Sequence, residues 1–328
     1  MLELARRGDE VVGVDCINSY YDVRLKYGRL GECGIKQSDA EREHTPAVSS
    51  RFPNMQFVRM AIDDAAAMNS LFEQHRFDKV VNLAAQAGVR YSIENPHAYV
   101  QSNVVGFLNV LECCRHYGVG HLVFASSSSV YGLGSKAPYS EDDRVDTPVS
   151  LYAATKKSNE LMAHCYSKLY GFATTGLRYF TVYGPWGRPD MAPMLFADAI
   201  THGREIKVYN GGDMIRDFTY IDDIVGGTLK VIDSTVVASE CRNGVPHEVY
   251  NIGCSHPVKL MDFIAELEQA VGAEARKVFL PMQPGDVYQT NADTTKLETK
   301  LGYKPSVTLH EGIIKFVEWY KSDMNPLK

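Results

Sequence analysis

No apolar run in the chain approaches the roughly 18 residues that a membrane-spanning helix needs, which excludes an integral helical membrane protein. There is no CxxC pair. The seven cysteines (Cys16, Cys33, Cys113, Cys114, Cys165, Cys241, Cys254) are odd in number and fit no disulfide framework, so a reducing compartment and no metal site are expected. Positive charge is also short: 34 basic against 40 acidic side chains give −6, leaving no overall field to gather phosphate backbones, and nucleic acid is not an expected partner. Internal repeats and low-complexity tracts are missing. The opening MLELARRGDE is amphipathic and carries charges every few residues, unlike a signal or transit peptide, so a cytoplasmic location is expected. What is present is ordinary globular composition, 45% apolar, 23% charged and 10% aromatic, over 328 residues, a length that suits about two domains.

Short apolar runs at Val11–Val14, Met55–Val58, Val80–Leu83, Leu122–Ala125 and Thr174–Phe180 have the form of buried parallel strands. Helical patterns lie between them at Ala65–Gln74, Pro96–His116 and Tyr152–Tyr170. This alternation predicts an α/β fold, a doubly wound parallel sheet of Rossmann type in which ligands sit outside the carboxyl ends of the strands. After Pro185 the alternation gives way to Gly- and Pro-rich stretches with shorter elements, which predicts a smaller C-terminal α/β domain. The expected division is 1–180 for a dinucleotide-binding domain, with some later segments returning to it, and 181–328 mainly for substrate. Residues 28–50 and 233–247 are polar and poorly periodic, and read as surface excursions.

A dinucleotide fold opens with a strand and a Gly-rich turn whose backbone N–H groups meet a pyrophosphate at a helix N-terminus. The one GxxGxxG, at Gly28, Gly31 and Gly34, has the spacing but follows no apolar strand, so it reads as three glycines in a polar loop. Asp15 ends what looks like a second strand, where a carboxylate can accept from adenosine ribose hydroxyls. The first strand and the true Gly-rich turn are therefore expected upstream of Met1.

Two further features carry chemistry. Tyr152 and Lys156 are four apart at the start of a helix, so the ammonium can lie near the phenol and favour its ionised form, making Tyr152 a general base. With nineteen tyrosines the spacing alone is weak, about one such pair arising by chance. Its company is the run Ser126–Ser129 at the carboxyl end of the Leu122–Ala125 strand, where a hydroxyl points into the ligand crevice and can donate to a reacting oxygen.

Asn82-Leu83-Ala84-Ala85-Gln86, the serine-rich strand end with Val130-Tyr131-Gly132, Tyr152-xxx-Lys156, Leu177-Arg178-Tyr179-Phe180 and Arg216-Asp217-Phe218 together resemble the extended short-chain dehydrogenase/reductase family. The similarity covers nearly the whole chain. It is greatest for the NAD-dependent nucleotide-sugar epimerases that act on UDP-glucuronate, through residues 84–92, 181–191 and 216–224. The resemblance implies that Tyr152 removes the sugar 4-hydroxyl proton, that Lys156 lowers its pKa and binds the nicotinamide ribose, and that Ser127 hydrogen-bonds the reacting oxygen. It implies NAD contacts from Asp15, Ile62, Ala84, Ala85, Asn103, Tyr152, Lys156 and Tyr179, and UDP-sugar contacts from Arg90, Ser128, Ser129, Thr181, Arg188, Arg216 and Asp286. A homodimer through the helices at 96–117 and 152–170 is expected on the same ground.

Similar dehydratases and decarboxylases carry carboxylates just before Val130-Tyr131-Gly132, where this chain has Ser128-Ser129, so simple epimerisation remains. The sugar carboxylate would be gripped by Ser128, Ser129, Thr181 and Arg188, neutral hydroxyls and one cation. Ala61 stands where an acidic residue usually meets the adenine amino group. Two competing readings stay open: epimerisation of a neutral UDP-hexose, and a UDP-sugar-binding protein that has lost its cofactor cradle.

Overall fold

A computed structural model describes residues 1–283 and 285–328; Pro284, within the Gln283-Pro284-Gly285-Asp286 motif, lies outside the described residues. The strand-like runs of the sequence are strands: β1 (Val11–Asp15), β3 (Met55–Arg59), β4 (Lys79–Asn82), β5 (His121–Ala125) and β6 (Ala173–Tyr179), with a short β2 (Pro46–Val48) before β3. The fold is Rossmann-like, α/β with parallel pairing. β4, β5 and β6 run parallel, and the strand His247–Ile252 returns from late in the chain to pair with β6. β1 pairs parallel with β3, and β2 closes that side antiparallel.

Among the described residues no backbone ladder joins β1 to β4. The three-stranded and four-stranded sheets share an apolar cluster instead, with Val12, Val14 and Val80 packed against buried Phe107, Leu111, Leu122 and Phe124. A second core gathers the C-terminal elements: Met194, Ile206, Phe263, Ile313 and Phe316 are buried together, and Phe218 stacks on Phe263 at 4.0 Å. Leu25, from the N-terminal half, is buried in that second core. No helix is long and apolar enough to cross a membrane among the described residues.

Two expectations change. Residues 28–50 are not a polar excursion: they hold the end of a helix (Val23–Glu32), a turn of helix (Gln37–Ala40) and β2, and they bury Leu30, Cys33, Ile35, Ala40 and Ala47. Their few buried apolar residues are spread over three elements and the links between them, so no single periodicity marked them. Gly28 and Gly31 therefore lie within a helix, and Gly28 is a contact point, since a Cβ there would come within 2.7 Å of the Trp186 ring. The helical pattern at 96–116 is broken, with a π-helical segment, Val100–Gly106, between Pro96–Tyr99 and Phe107–Tyr117.

Candidate active site

The helix Leu151–Tyr170 starts where Ser150 caps it, its hydroxyl accepting from the Ala153 amide at 3.1 Å, and stops at Gly171 in the left-handed conformation. That start places Tyr152 in the first turn and Lys156 one turn later, beside the carboxyl end of β5. Lys156, 3% exposed, donates to the Ala125 carbonyl at 2.8 Å. Ser127 follows Ala125 by two residues and caps the short turn Ser128–Tyr131, accepting from the Ser129 amide at 3.2 Å and donating to the Ser129 hydroxyl at 3.1 Å. Ser126, Ser127 and Tyr152 thus meet at one strand end.

The strand end is braced by a buried ion pair. Glu160, four residues after Lys156, accepts from Ser126 Oγ at 2.7 Å and from Arg178 Nε and Nη2 at 2.8 and 2.9 Å. Arg178 Nη1 donates to the Tyr131 hydroxyl at 3.0 Å, and Tyr131 donates to Asn251 at 2.7 Å. Burial would raise the Glu160 carboxyl, but the Arg178 guanidinium and Lys157 ammonium overrule it and hold it at about 2.

Around the candidate base the electrostatics differ from expectation. Burial pushes the Tyr152 phenol up; the Ser127 hydroxyl and the charge on Arg188 pull against it. Burial also holds the Lys156 ammonium down to about 8. The charge on Arg188 thus favours the Tyr152 phenolate, and the Lys156 ammonium is anchored to a backbone carbonyl one helical turn away.

A model of the family described as GDP-mannose 4,6 dehydratase matches residues 32–316. The chain belongs to that family, within the extended short-chain dehydrogenases/reductases. UDP-glucuronate 4-epimerase 3 of Arabidopsis thaliana is 45% identical over 326 residues, covering 97% of this chain and 72% of the relative. The crystal structure of UDP-glucuronic acid 4-epimerase from Bacillus cereus, in complex with UDP-glucuronic acid and NAD, superposes with a TM-score of 0.83 at 32% identity, over 97% and 95% of the two chains. UDP-glucose 4-epimerase from Thermotoga maritima with UDP-glucose superposes with a TM-score of 0.82 at 29% identity, over 98% and 93%.

In this family member the remaining expected site residues are placed as follows. Asp15 ends β1 half-exposed, with Lys26 Nζ at 3.4 Å. Ile62 packs on Gly106, and its carbonyl accepts from Asn109. Ala84 and Ala85 follow β4. Asn103 is 1% exposed and its side chain is spent on protein: it brackets the Gln86 backbone, accepting at 2.7 Å and donating at 3.0 Å, and donates to Thr155 Oγ1 at 3.0 Å. It pins the 84–86 turn to the helix Leu151–Tyr170. The Tyr179 phenol is bonded to Thr228 at 2.8 Å beneath the helix Ile221–Asp233, which leaves its backbone, at the end of β6, as the part that can meet a cofactor.

On the substrate side, Arg90 and Asp286 face each other at 3.5 Å, with the Arg90 guanidinium over the Tyr209 ring. Arg216 does not pair with Asp217. Its guanidinium donates to the carbonyls of Val287 at 2.7 Å and Tyr288 at 3.0 Å, fixing the chain next to Asp286. Thr181 begins β7 (Thr181–Tyr183), and Ser128 and Ser129 lie in the turn after Ser127. Arg188 lies on a loop whose Trp186 has φ +62°, and Arg29 donates twice to the Trp186 carbonyl, at 3.2 and 2.6 Å. Glu160 was not picked out from sequence. Glu160 carried a signal: Tyr152, Lys156 and Glu160 recur every four residues along one helical face.

Proposed function

We propose that the chain catalyses NAD-dependent 4-epimerisation of UDP-glucuronate to UDP-galacturonate. The observation that carries the reading is the meeting of Ser127, Tyr152 and Lys156 at the carboxyl end of β5. The residues present fit NAD at two places: the Tyr152–Lys156–Ser127 group at the nicotinamide ribose, and Asp15 with Ile62 at the adenosine. Asn103 holds the Ala84–Ala85 turn between them. Among the described residues no strand–glycine turn–helix offers amides to a pyrophosphate. When bound, NAD supplies a reversible hydride acceptor.

Tyr152 takes the proton from the sugar 4-hydroxyl while Ser127 hydrogen-bonds the same oxygen, and the proton returns by the reverse path after the 4-keto sugar has turned its other face. Lys156 orients the ribose. Ser128, Ser129, Thr181 and Arg188 hold the sugar carboxylate, and no carboxylate side chain stands at 128 or 129 to drive elimination. Arg216 and Asp286, with Arg90, hold the uridine diphosphate end. Residues 1–180 serve the cofactor and 181–328 mainly the sugar nucleotide. Exposed Leu108, Leu161, Leu169 and Tyr170, on the helices Phe107–Tyr117 and Leu151–Tyr170, support a homodimer through those helices. The cysteines, all unpaired, support a cytoplasmic setting.

The test is Tyr152→Phe. Turnover of UDP-glucuronate should fall by at least about 1,000-fold, within the range for loss of a positioned base, with the melting temperature unchanged. Full activity in that variant would overturn the mechanism.

A further inference from the structure

The Arg188 fork already holds a carboxylate. Its Nε and Nη2 donate to the two oxygens of Asp190 at 3.0 and 2.8 Å, the side-on geometry in which an arginine meets a carboxylate ligand. Asp190 has a further donor. The Tyr20 hydroxyl, on the segment after β1, donates to Asp190 Oδ2 at 3.1 Å, and the Tyr20 ring lies 6.0 Å from the Arg188 guanidinium carbon and 4.8 Å from the Tyr91 ring. Burial and the Asp190 charge raise the Tyr20 phenol to about 12, so it remains a donor at neutral pH.

We propose that Asp190 is a specificity-determining positioning residue: it competes with the sugar carboxylate for Arg188, and Tyr20 draws it away from the guanidinium when the substrate arrives. The proposal rests on the acid-sugar reading above. Asp190 offsets part of the Arg188 charge, so an acidic sugar is held by exchange of one carboxylate for another. A grip made by exchange is also one the sugar can leave, which suits a ring that must turn between two half-reactions. Asp190 is about a third exposed, so the exchange is worth the modest amount of a partly solvated ion pair.

The experiment measures kcat and KM for UDP-glucuronate and UDP-glucose in the wild type, Asp190→Asn, Tyr20→Phe and the double variant. Asp190→Asn should lower KM for UDP-glucuronate about three- to five-fold, the effect of a partly solvated ion pair, and raise the acid-to-neutral ratio of kcat/KM. Tyr20→Phe should raise KM for UDP-glucuronate about two-fold, and that effect should vanish in the Asp190→Asn background, because Tyr20 acts through Asp190. The ratio is taken within one preparation, so a folding defect that lowers both rates leaves it unmoved. A wild type with the higher kcat/KM on UDP-glucose would sink the acid-sugar reading itself. A wild type that prefers UDP-glucuronate, with an Asp190→Asn variant whose KM for it is unchanged or raised, would overturn the competition alone; so would a Tyr20→Phe effect of equal size in both backgrounds.

Discussion

Replacing Glu160 with glutamine keeps the shape of the side chain and removes its charge. In the native protein Glu160 and Arg178 are each 2% exposed and doubly hydrogen-bonded to one another, and Glu160 also takes the Ser126 hydroxyl. Burial works against the carboxylate, yet its partners hold it at about 2 against the usual 4.5. At about 1.4 kcal/mol per pH unit that difference corresponds to about 3 kcal/mol of stability. Because the folded pKa is the depressed one, this stability is fully present above pH 4.5 and is lost as pH falls from 4.5 towards 2. Glu160→Gln should therefore lower the unfolding free energy by about 3 kcal/mol at pH 7, the cost of leaving Arg178 buried without its counter-charge. Urea unfolding followed by far-ultraviolet circular dichroism at pH 7, 4.5 and 3 reads both effects, with the gap between wild type and variant narrowing at the lowest pH. A variant as stable as the wild type at pH 7, or a gap that does not change with pH, would refute the reasoning. Removing the neighbouring Lys157, which is a quarter exposed, should cost under about 1 kcal/mol.

Gly132 has φ +55°, and a Cβ there would collide with the Thr147 carbonyl oxygen, so Gly132→Ala should cost more than about 3 kcal/mol and displace the Ser127 turn; a variant with the native melting temperature and turnover would contradict this. Asn103→Ala leaves the buried Gln86 amide and carbonyl without the side chain that pairs them, which should cost about 2–4 kcal/mol. It should also reduce the NAD that purifies with the protein, measured by absorbance after acid release.

The strands were legible because a buried parallel strand is a continuous apolar run, and five such runs became β1, β3, β4, β5 and β6 with ends within about two residues. The helix Leu151–Tyr170 was legible from its apolar spacing, and its nearness to the strand-end serines from the position of Tyr152 and Lys156 at its start. Spacing, however, says only that two side chains share a face. It does not say that Lys156 will bond the Ala125 carbonyl, or that the charge on Arg188, 36 positions after Tyr152 in the chain, will act on the phenol. Asn103 shows the same limit: its position near the crevice was readable, but its consumption by Gln86 and Thr155 depends on how a π-helical segment turns the side chain. Residues 28–50 were misread because short elements that each bury only one or two residues leave no period to detect.

The glycine that imitates a phosphate motif, Gly28, turns out to seat an indole, and its neighbour Arg29 grips the backbone of that same tryptophan. The loop that carries Arg188 is thus held by a residue 157 positions before Trp186, so it is not a portable cassette. Grafting residues 184–191 from a relative with a different sugar preference would import the side chains without their anchorage. Redesign of this pocket has to treat positions 28, 29 and 186 as one unit.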